Sequence, residues 1–262
     1  MSKPVLTSLD ARGVATVTLN RPDVGNAYNG AMIDGLLEAM DELGAKPEAR
    51  AVVLQGKGRH FQAGADLKWI REVRDASAEE NERVSRATAQ AVDRLNRLPV
   101  PTVALVQGGC FGGGTGMIAA CDVVIAADNA VFSISEVRWG LTAAIIIPQL
   151  SDAISVRQLR RYALTGERFD ATEACRIGLA HQVVALDGLE AAGEGMVTRL
   201  LENGPVAIAE TKAWILQSAW GGFDRATFDA LSTSHAAKRR SSEAAEGLAS
   251  FAEKRAANWK RG

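Results

Sequence analysis

The sequence predicts an α/β fold whose C-terminal part is helical, and three observations carry that expectation. Short apolar runs such as "AVVLQG", "TVALV" and "DVVIAAD" have the length and composition of strands buried on both faces. Between them lie amphipathic stretches with apolar residues three and four apart. From Ser151 onward helical patterns dominate, so strands and helices alternate first and helices then take over.

The elements follow in order. "GVATVTLNRP" starts as a β-rich run and is stopped by Pro22. Met32, Ile33, Leu36, Leu37, Met40 and Leu43 recur at helical spacing, ahead of Gly44 and Pro47. "AVVLQG" is the next strand. "GKGRHFQAGADLKWI" reads as a loop entering a helix at about Asp66. Ser77-x-x-Glu80 can cap a further helix whose face carries Val84, Ala87, Ala91, Leu95 and Leu98. "TVALV" and "DVVIAAD" are strands that bracket a glycine-rich turn. Asp170-x-x-Glu173 begins a short helix that Gly178 can end, and "GMVTRLLENG" is helical as far as Gly204-Pro205.

Composition excludes several classes. The chain has 262 residues, 47% apolar and 23% charged, with a net charge of -1. That size suits one large domain, and the charge gives no electrostatic case for nucleic acid or an anionic membrane. Leu98 to Cys121 is uncharged, but Pro99, Pro101, Gln107 and six glycines prevent a uniform membrane helix. Cys110, Cys121 and Cys175 form no CxxC pair. Reduced thiols in a cytoplasmic protein are the expectation, and the N-terminus has no apolar stretch of secretory type. His60, His181 and His235 lack metal-site spacing, so no metal is expected.

Three clusters could carry chemistry. "CFGGGTGMIAACD" follows a strand and opens a helix, so its backbone N–H groups are free to meet a ligand. No Lys-Ser/Thr follows, which excludes a Walker loop. Gly114-x-Gly116-x-x-Ala119 does fit a dinucleotide turn with Glu136 at the distance of a ribose-binding acid, although it arises mid-chain. Tight helix–strand packing would also require glycine. "HFQAGADLKW" is a second small-residue turn, and two such turns can offer two N–H donors to a developing oxyanion. In "FSISEVRWGL", Glu136 and Arg138 interrupt apolar sequence. The carboxylate is either a salt-bridged structural group or an acid/base with a pKa shifted by burial.

Taken together, "NRPDVGNA", "HFQAGADLKW", "VQGGCFGGGTGMIAACD", "FSISEVRWGL", "LTGERFDATEACRIGLAHQVV" and "FAEKR" resemble the crotonase superfamily, the enoyl-CoA hydratase/isomerase family, in order over nearly the whole chain. The resemblance implies a spiral of ββα units over residues 1–200 and a helical trimerisation region over 201–262. It also implies a homotrimer or a hexamer built as a dimer of trimers. The substrate would be an acyl-CoA thioester, with no tightly bound cofactor. By position, the N–H groups of Ala65 and Gly113 would form the oxyanion hole. Ala27, Ala63, Asp66 and Lys68 would line the CoA moiety, joined by Phe251 and Lys254 from a neighbouring subunit. Gly116, Arg138 and Trp139 would face the acyl group, with Arg138 a candidate partner for a distal carboxylate.

One departure matters. Hydratases of this family carry two glutamates; Glu136 matches the second, and the first falls on Gly116. The resemblance is nearest to bacterial 3-methylglutaconyl-CoA hydratases and their isohexenylglutaconyl relatives, whose branched diacid substrates arise in leucine and acyclic terpene breakdown. The expected activity is hydration of a 2-enoyl-CoA by Glu136. Isomerisation of a 3-enoyl-CoA by the same single carboxylate, or an idle acyl-CoA-binding homologue, are the alternatives. Nicotinamide-dependent hydride transfer on the glycine match ranks below these.

Overall fold

The computed structural model describes residues 3–221, 226, 233 and 241–259; the side chain of Phe251 lies outside the described set. A six-stranded sheet runs in the order β1 (Val5–Leu9), β2 (Val14–Leu19), β3 (Ala51–Gly56), β4 (Thr102–Val106), β6 (Val123–Ala127) and β9 (Gln182–Val184). β1 is antiparallel to β2 and every other pairing in this sheet is parallel. A three-stranded sheet joins β5 (Gly109–Phe111), β7 (Val131–Ser133) and β8 (Phe169–Asp170).

Side-chain alternation along the parallel strands builds two cores. Val52, Leu54, Ala104, Val106, Val124 and Ala126 point to one face, where they pack with α1 (Gly30–Gly44) and α3 (Ala78–Asn96). Val53, Val103, Leu105, Ile125 and Ala127 point to the other, under Leu189 and Val197 of α7 (Leu189–Leu201). With both faces covered, the strands read as continuous apolar runs rather than alternating ones.

The helix starts follow their caps. Asn29 Oδ1 accepts the Met32 N–H at 3.1 Å, Asp66 Oδ1 the Lys68 N–H at 3.1 Å, and Ser77 Oγ the Glu80 N–H at 3.2 Å. Asp66 thereby opens α2 (Leu67–Arg74). Asp170 caps α6 (Ala171–Ile177), and Gly178, at φ +95°, ends it in the left-handed region where glycine is unstrained. Leu98 is buried but follows the last residue of α3 rather than lying on its face.

Two elements differ from the sequence-based expectation. β1 was not anticipated, because Leu6, Thr7 and Ser8 are exposed at a sheet edge and give no buried run. A boundary at 200/201 falls within α7, whereas the break at Asn203 and Gly204 separates α7 from α8 (Pro205–Gly221). The C-terminal helices are tied to the core. Lys212 Nζ donates to Asp122 Oδ2 at 2.8 Å and to the Val100 carbonyl at 3.2 Å. Glu243, in α9 (Ser242–Ala252), accepts the Val206 and Ala207 N–H groups at the start of α8, each at 2.9 Å.

Candidate active site

A cleft of about 680 Å³ opens beside the glycine turn. Its floor is built by two loops that meet at Gln62. The bridge between Gln62 and Cys110 brings them together, with the Gln62 N–H donating to the Gly109 carbonyl at 3.1 Å and the Phe111 N–H to the Gln62 carbonyl at 2.9 Å. The fully buried Gln62 side chain accepts the Gly64 N–H at 2.9 Å, and a Cβ on Gly114 would lie 2.6 Å from the same Oε1. Gln62 therefore sets the approach of one loop to the other. Sequence reasoning passed over it, since one glutamine in a turn carries no signal.

Ala65 pairs with Tyr28 in a parallel bridge. The Tyr28 N–H donates to the Gly64 carbonyl and the Asp66 N–H to the Tyr28 carbonyl, each at 2.9 Å. These bonds flank Ala65 and leave its own N–H without an acceptor among the described residues. The Gly113 N–H, at the first turn of α4 (Gly113–Ala119), is likewise without one. Both residues line the cleft. Two unpaired N–H donors at one cleft wall are what a developing oxyanion requires.

Glu136 begins a single 3-10 turn, Glu136–Trp139, just after β7. β7 is held in register because the Gly112 N–H donates to the Ser133 carbonyl at 2.9 Å. Gly112 is needed twice: its φ is +51°, and a Cβ there would lie 3.1 Å from Glu136 Oε1. Glu136 Oε2 is buried with no hydrogen-bond partner among the described residues. Burial, opposed by a hydrogen bond from its own N–H, raises the carboxyl above the ordinary glutamate range. A buried carboxylate lacking a cation partner fits proton transfer better than structural pairing.

The remaining expected residues divide. Ala63 and Trp139 line the cleft, Trp139 at an exposed position. Ala27 and Asp66 lie just behind its wall: Arg21 donates to the Ala27 carbonyl and pairs with Asp66 Oδ2 at 2.9 Å, holding the Asp66 carboxyl below its usual range. Lys68 is exposed on α2 and Lys254 is exposed beyond α9. Arg138 is exposed and does not line the cleft; its Nε lies 3.0 Å from where a Cβ on Gly166 would be. Arg74, which sequence reasoning missed, is the basic residue of the lining.

Gly116 does not reach the cleft either. It is buried, and a Cβ there would overlap Ile146 Cγ2 and lie 2.5 Å from Ile146 Cβ. The space of the first glutamate is thus occupied by an isoleucine that is 1% exposed. The same packing removes the dinucleotide reading: Gly114 is closed off by Gln62 and Gly116 by Ile146, so neither offers bare backbone to a pyrophosphate.

Tyr28 is the other residue missed. Its ring stands edge-on to Trp69, with centroids 5.7 Å apart and planes at 69°, and it lines the cleft. Burial, reinforced by the charge of Glu136, pushes its phenol up to about 12. Beyond Tyr28 and Gly113 a small apolar cavity of about 30 Å³ is enclosed by α1, α3, Met117, Ile145 and Ile146.

His60 Nδ1 accepts the Gly109 N–H at 2.8 Å and His181 Nδ1 the Val124 N–H at 3.0 Å; His235 lies outside the described residues. Among the described residues no group of three potential metal ligands occurs, and no helix is long and apolar enough to cross a membrane. Cys110 and Cys121 are buried, and burial pushes the Cys121 thiol up to about 12.

Comparison with known proteins agrees with this geometry. Residues 10–262 match the model of the family described as enoyl-CoA hydratase/isomerase. An enoyl-CoA hydratase structure from Shewanella pealeana is 36% identical, with a TM-score of 0.93 over 98% of this chain and 96% of that one. The structure of AtuE from Pseudomonas aeruginosa is also 36% identical, with a TM-score of 0.94 over 98% and 100%. The hydroxycinnamoyl-CoA hydratase-lyase of Pseudomonas fluorescens is 36% identical over 204 residues, 76% of this chain and 74% of its own. The spiral α/β fold with added C-terminal helices is therefore shown, as the sequence led one to expect.

Proposed function

Because the chain belongs to the enoyl-CoA hydratase/isomerase family, we propose that it adds water across the double bond of a 2-enoyl-CoA thioester. The observation that carries this is the Glu136 carboxylate, whose Oε2 has no hydrogen-bond partner, beside the unpaired N–H groups of Ala65 and Gly113. The two N–H groups polarise the thioester carbonyl. Glu136 takes a proton from water as its oxygen bonds to Cβ, electrons move through Cα onto the thioester oxygen, and Glu136 returns the proton to Cα. No second carboxylate can hold the water from position 116, since Ile146 fills that space.

On this reading the CoA moiety runs past Ala63, with Ala27 and Asp66 behind that wall. Lys68 lies on the same side, and Phe251 and Lys254 come from a neighbouring subunit in a trimer or hexamer. Exposed Val206, Ile215 and Leu248 on α8 and α9 support an assembly surface there, which light scattering would test. Our finer reading of the acyl group is a branched, 3-methylglutaconyl-type thioester. The small apolar cavity would take the methyl branch, and Arg74, which lines the cleft where Arg138 does not, would meet a distal carboxylate.

A second reading has its own support: the absence of any carboxylate at 116 suits double-bond migration by Glu136 alone. Purified protein and its Glu136→Gln variant should therefore be assayed with 3-methylglutaconyl-CoA, crotonyl-CoA and a 3-enoyl-CoA. Hydration of the branched diacid thioester, lost in the variant, supports the proposal. Migration without hydration makes the protein an isomerase, and binding without turnover an idle homologue.

A further inference from the structure

We propose that the Tyr28 hydroxyl is a catalytic group, holding the nucleophilic water against Glu136 in place of the carboxylate that residue 116 lacks. The inference rests on the hydratase function proposed above and supplies what that function leaves open.

A lone carboxylate can remove a proton from water but cannot fix its direction of attack. If the second water proton is also accepted by a fixed oxygen, a lone pair is left aimed at Cβ. The wall at residue 116 offers no such oxygen, because Ile146 covers it. Tyr28 does. A Cβ on Gly113 would lie 2.8 Å from Tyr28 Cε1 and 3.5 Å from its hydroxyl oxygen. A Cβ on the adjacent Gly112 would lie 3.1 Å from Glu136 Oε1. The phenol and the carboxylate therefore flank consecutive residues, one of which carries an oxyanion donor.

Two further observations agree. Glu136 Oε2 is buried and orphaned, and the Tyr28 side chain lines the same cleft. An orphaned buried carboxylate oxygen needs water or substrate beside it. The ring is also fixed in place: Trp69 meets it edge-on, and the Tyr28 backbone brackets Ala65, so one residue sets both the hydroxyl and the first donor. The phenol's high pKa keeps it protonated throughout the cycle. It accepts from the water while keeping its own proton, and the proton transferred to Cα passes only through Glu136.

The test compares wild type with Tyr28→Phe, which retains the ring. Two rates are read on the same preparations: hydration of crotonyl-CoA and 3-methylglutaconyl-CoA, and exchange of the Cα protons of butyryl-CoA with deuterated water. Exchange uses Glu136 and the oxyanion donors but needs no nucleophilic water. The expected result is a fall in hydration kcat of about 10- to 100-fold, with exchange falling by less than about threefold. Unchanged hydration overturns the proposal. Equal losses in both rates also overturn it, placing Tyr28 at the thioester oxygen or in the scaffold. A wild type that exchanges protons but hydrates neither substrate overturns the hydratase function itself, and the water-holding role with it.

Discussion

Ile146 occupies the volume that any side chain on residue 116 would need, its Cγ2 overlapping a Cβ built there and its own Cβ lying 2.5 Å away. The two positions are a coupled pair: one is small because the other is branched and buried. Gly116→Ala should therefore destabilise the protein by about 1–3 kcal/mol through overpacking. Ile146→Ala should cost about 2–5 kcal/mol through the cavity it leaves. In the double variant the losses should fall short of their sum by about 0.5–3 kcal/mol. Urea melts of the four proteins measure this, and strict additivity would show that the two side chains do not compete. Gly116→Glu alone should fail to restore a two-carboxylate site.

Gln62 lies beneath both N–H groups proposed to hold the oxyanion. Gln62→Ala removes the acceptor of the Gly64 N–H and should cost about 1–3 kcal/mol in stability. Because Gly64 precedes Ala65, kcat should fall while KM moves little. A rise in KM with kcat unchanged would place Gln62 in substrate binding instead.

The pH dependence follows from Glu136. Its carboxyl titrates above the ordinary glutamate value of 4.5 because of burial. The proposed reaction requires the ionised form, so kcat/KM should fall with decreasing pH on a limb lying above 4.5, and that limb should vanish in Glu136→Gln. Stability runs the other way. The folded state holds this proton more tightly than the unfolded one, so the contribution of Glu136 is fully present below the unfolded pKa and is lost as pH rises through the folded pKa. Glu136→Gln should then match or exceed wild type in Tm at pH 7.5, with the advantage shrinking toward pH 4. A variant less stable than wild type at pH 7.5 would mean that the carboxylate has a partner.

Lys212 joins α8 to the sheet through Asp122, and the ammonium side chain is 9% exposed. Asp122 retains the Thr102 N–H and hydroxyl as donors, so Lys212→Met should cost about 1–3 kcal/mol rather than the larger loss of a stranded charge. Salt should change the difference little, since the pair is mostly shielded from ions. Thermal melts at low and high salt check both points.

Much of this architecture was legible in the sequence, because buried parallel strands are continuous apolar runs and Asn, Asp and Ser caps act locally. Asp66, Ser77 and Asp170 announce their helices within three residues. β1 was not legible, since an edge strand with one wet face has the composition of a loop. For the site, Glu136 stood out as a charge in apolar sequence and Ala65 and Gly113 were suggested by the resemblance; all three line one cleft. Gln62, Tyr28 and Arg74 escaped notice because their significance is a matter of long-range placement. Arg138 turns outward toward Gly166, and that too was hidden, because the course of a 3-10 turn decides which of its side chains face in.

The strand order has a consequence for synthesis. β6 ends at Ala127, but its outer neighbour β9 begins only at Gln182, after α5 (Ile147–Thr165) and α6 have been made. Chains emerge from the ribosome at about 5–20 residues per second, so the β6 edge waits roughly 3–11 s for its partner. Throughout that interval an apolar parallel edge is open to another nascent chain. Slower translation through α5 and α6 would lengthen the exposure, so expression yield should depend on the tempo of that stretch more than on codons elsewhere.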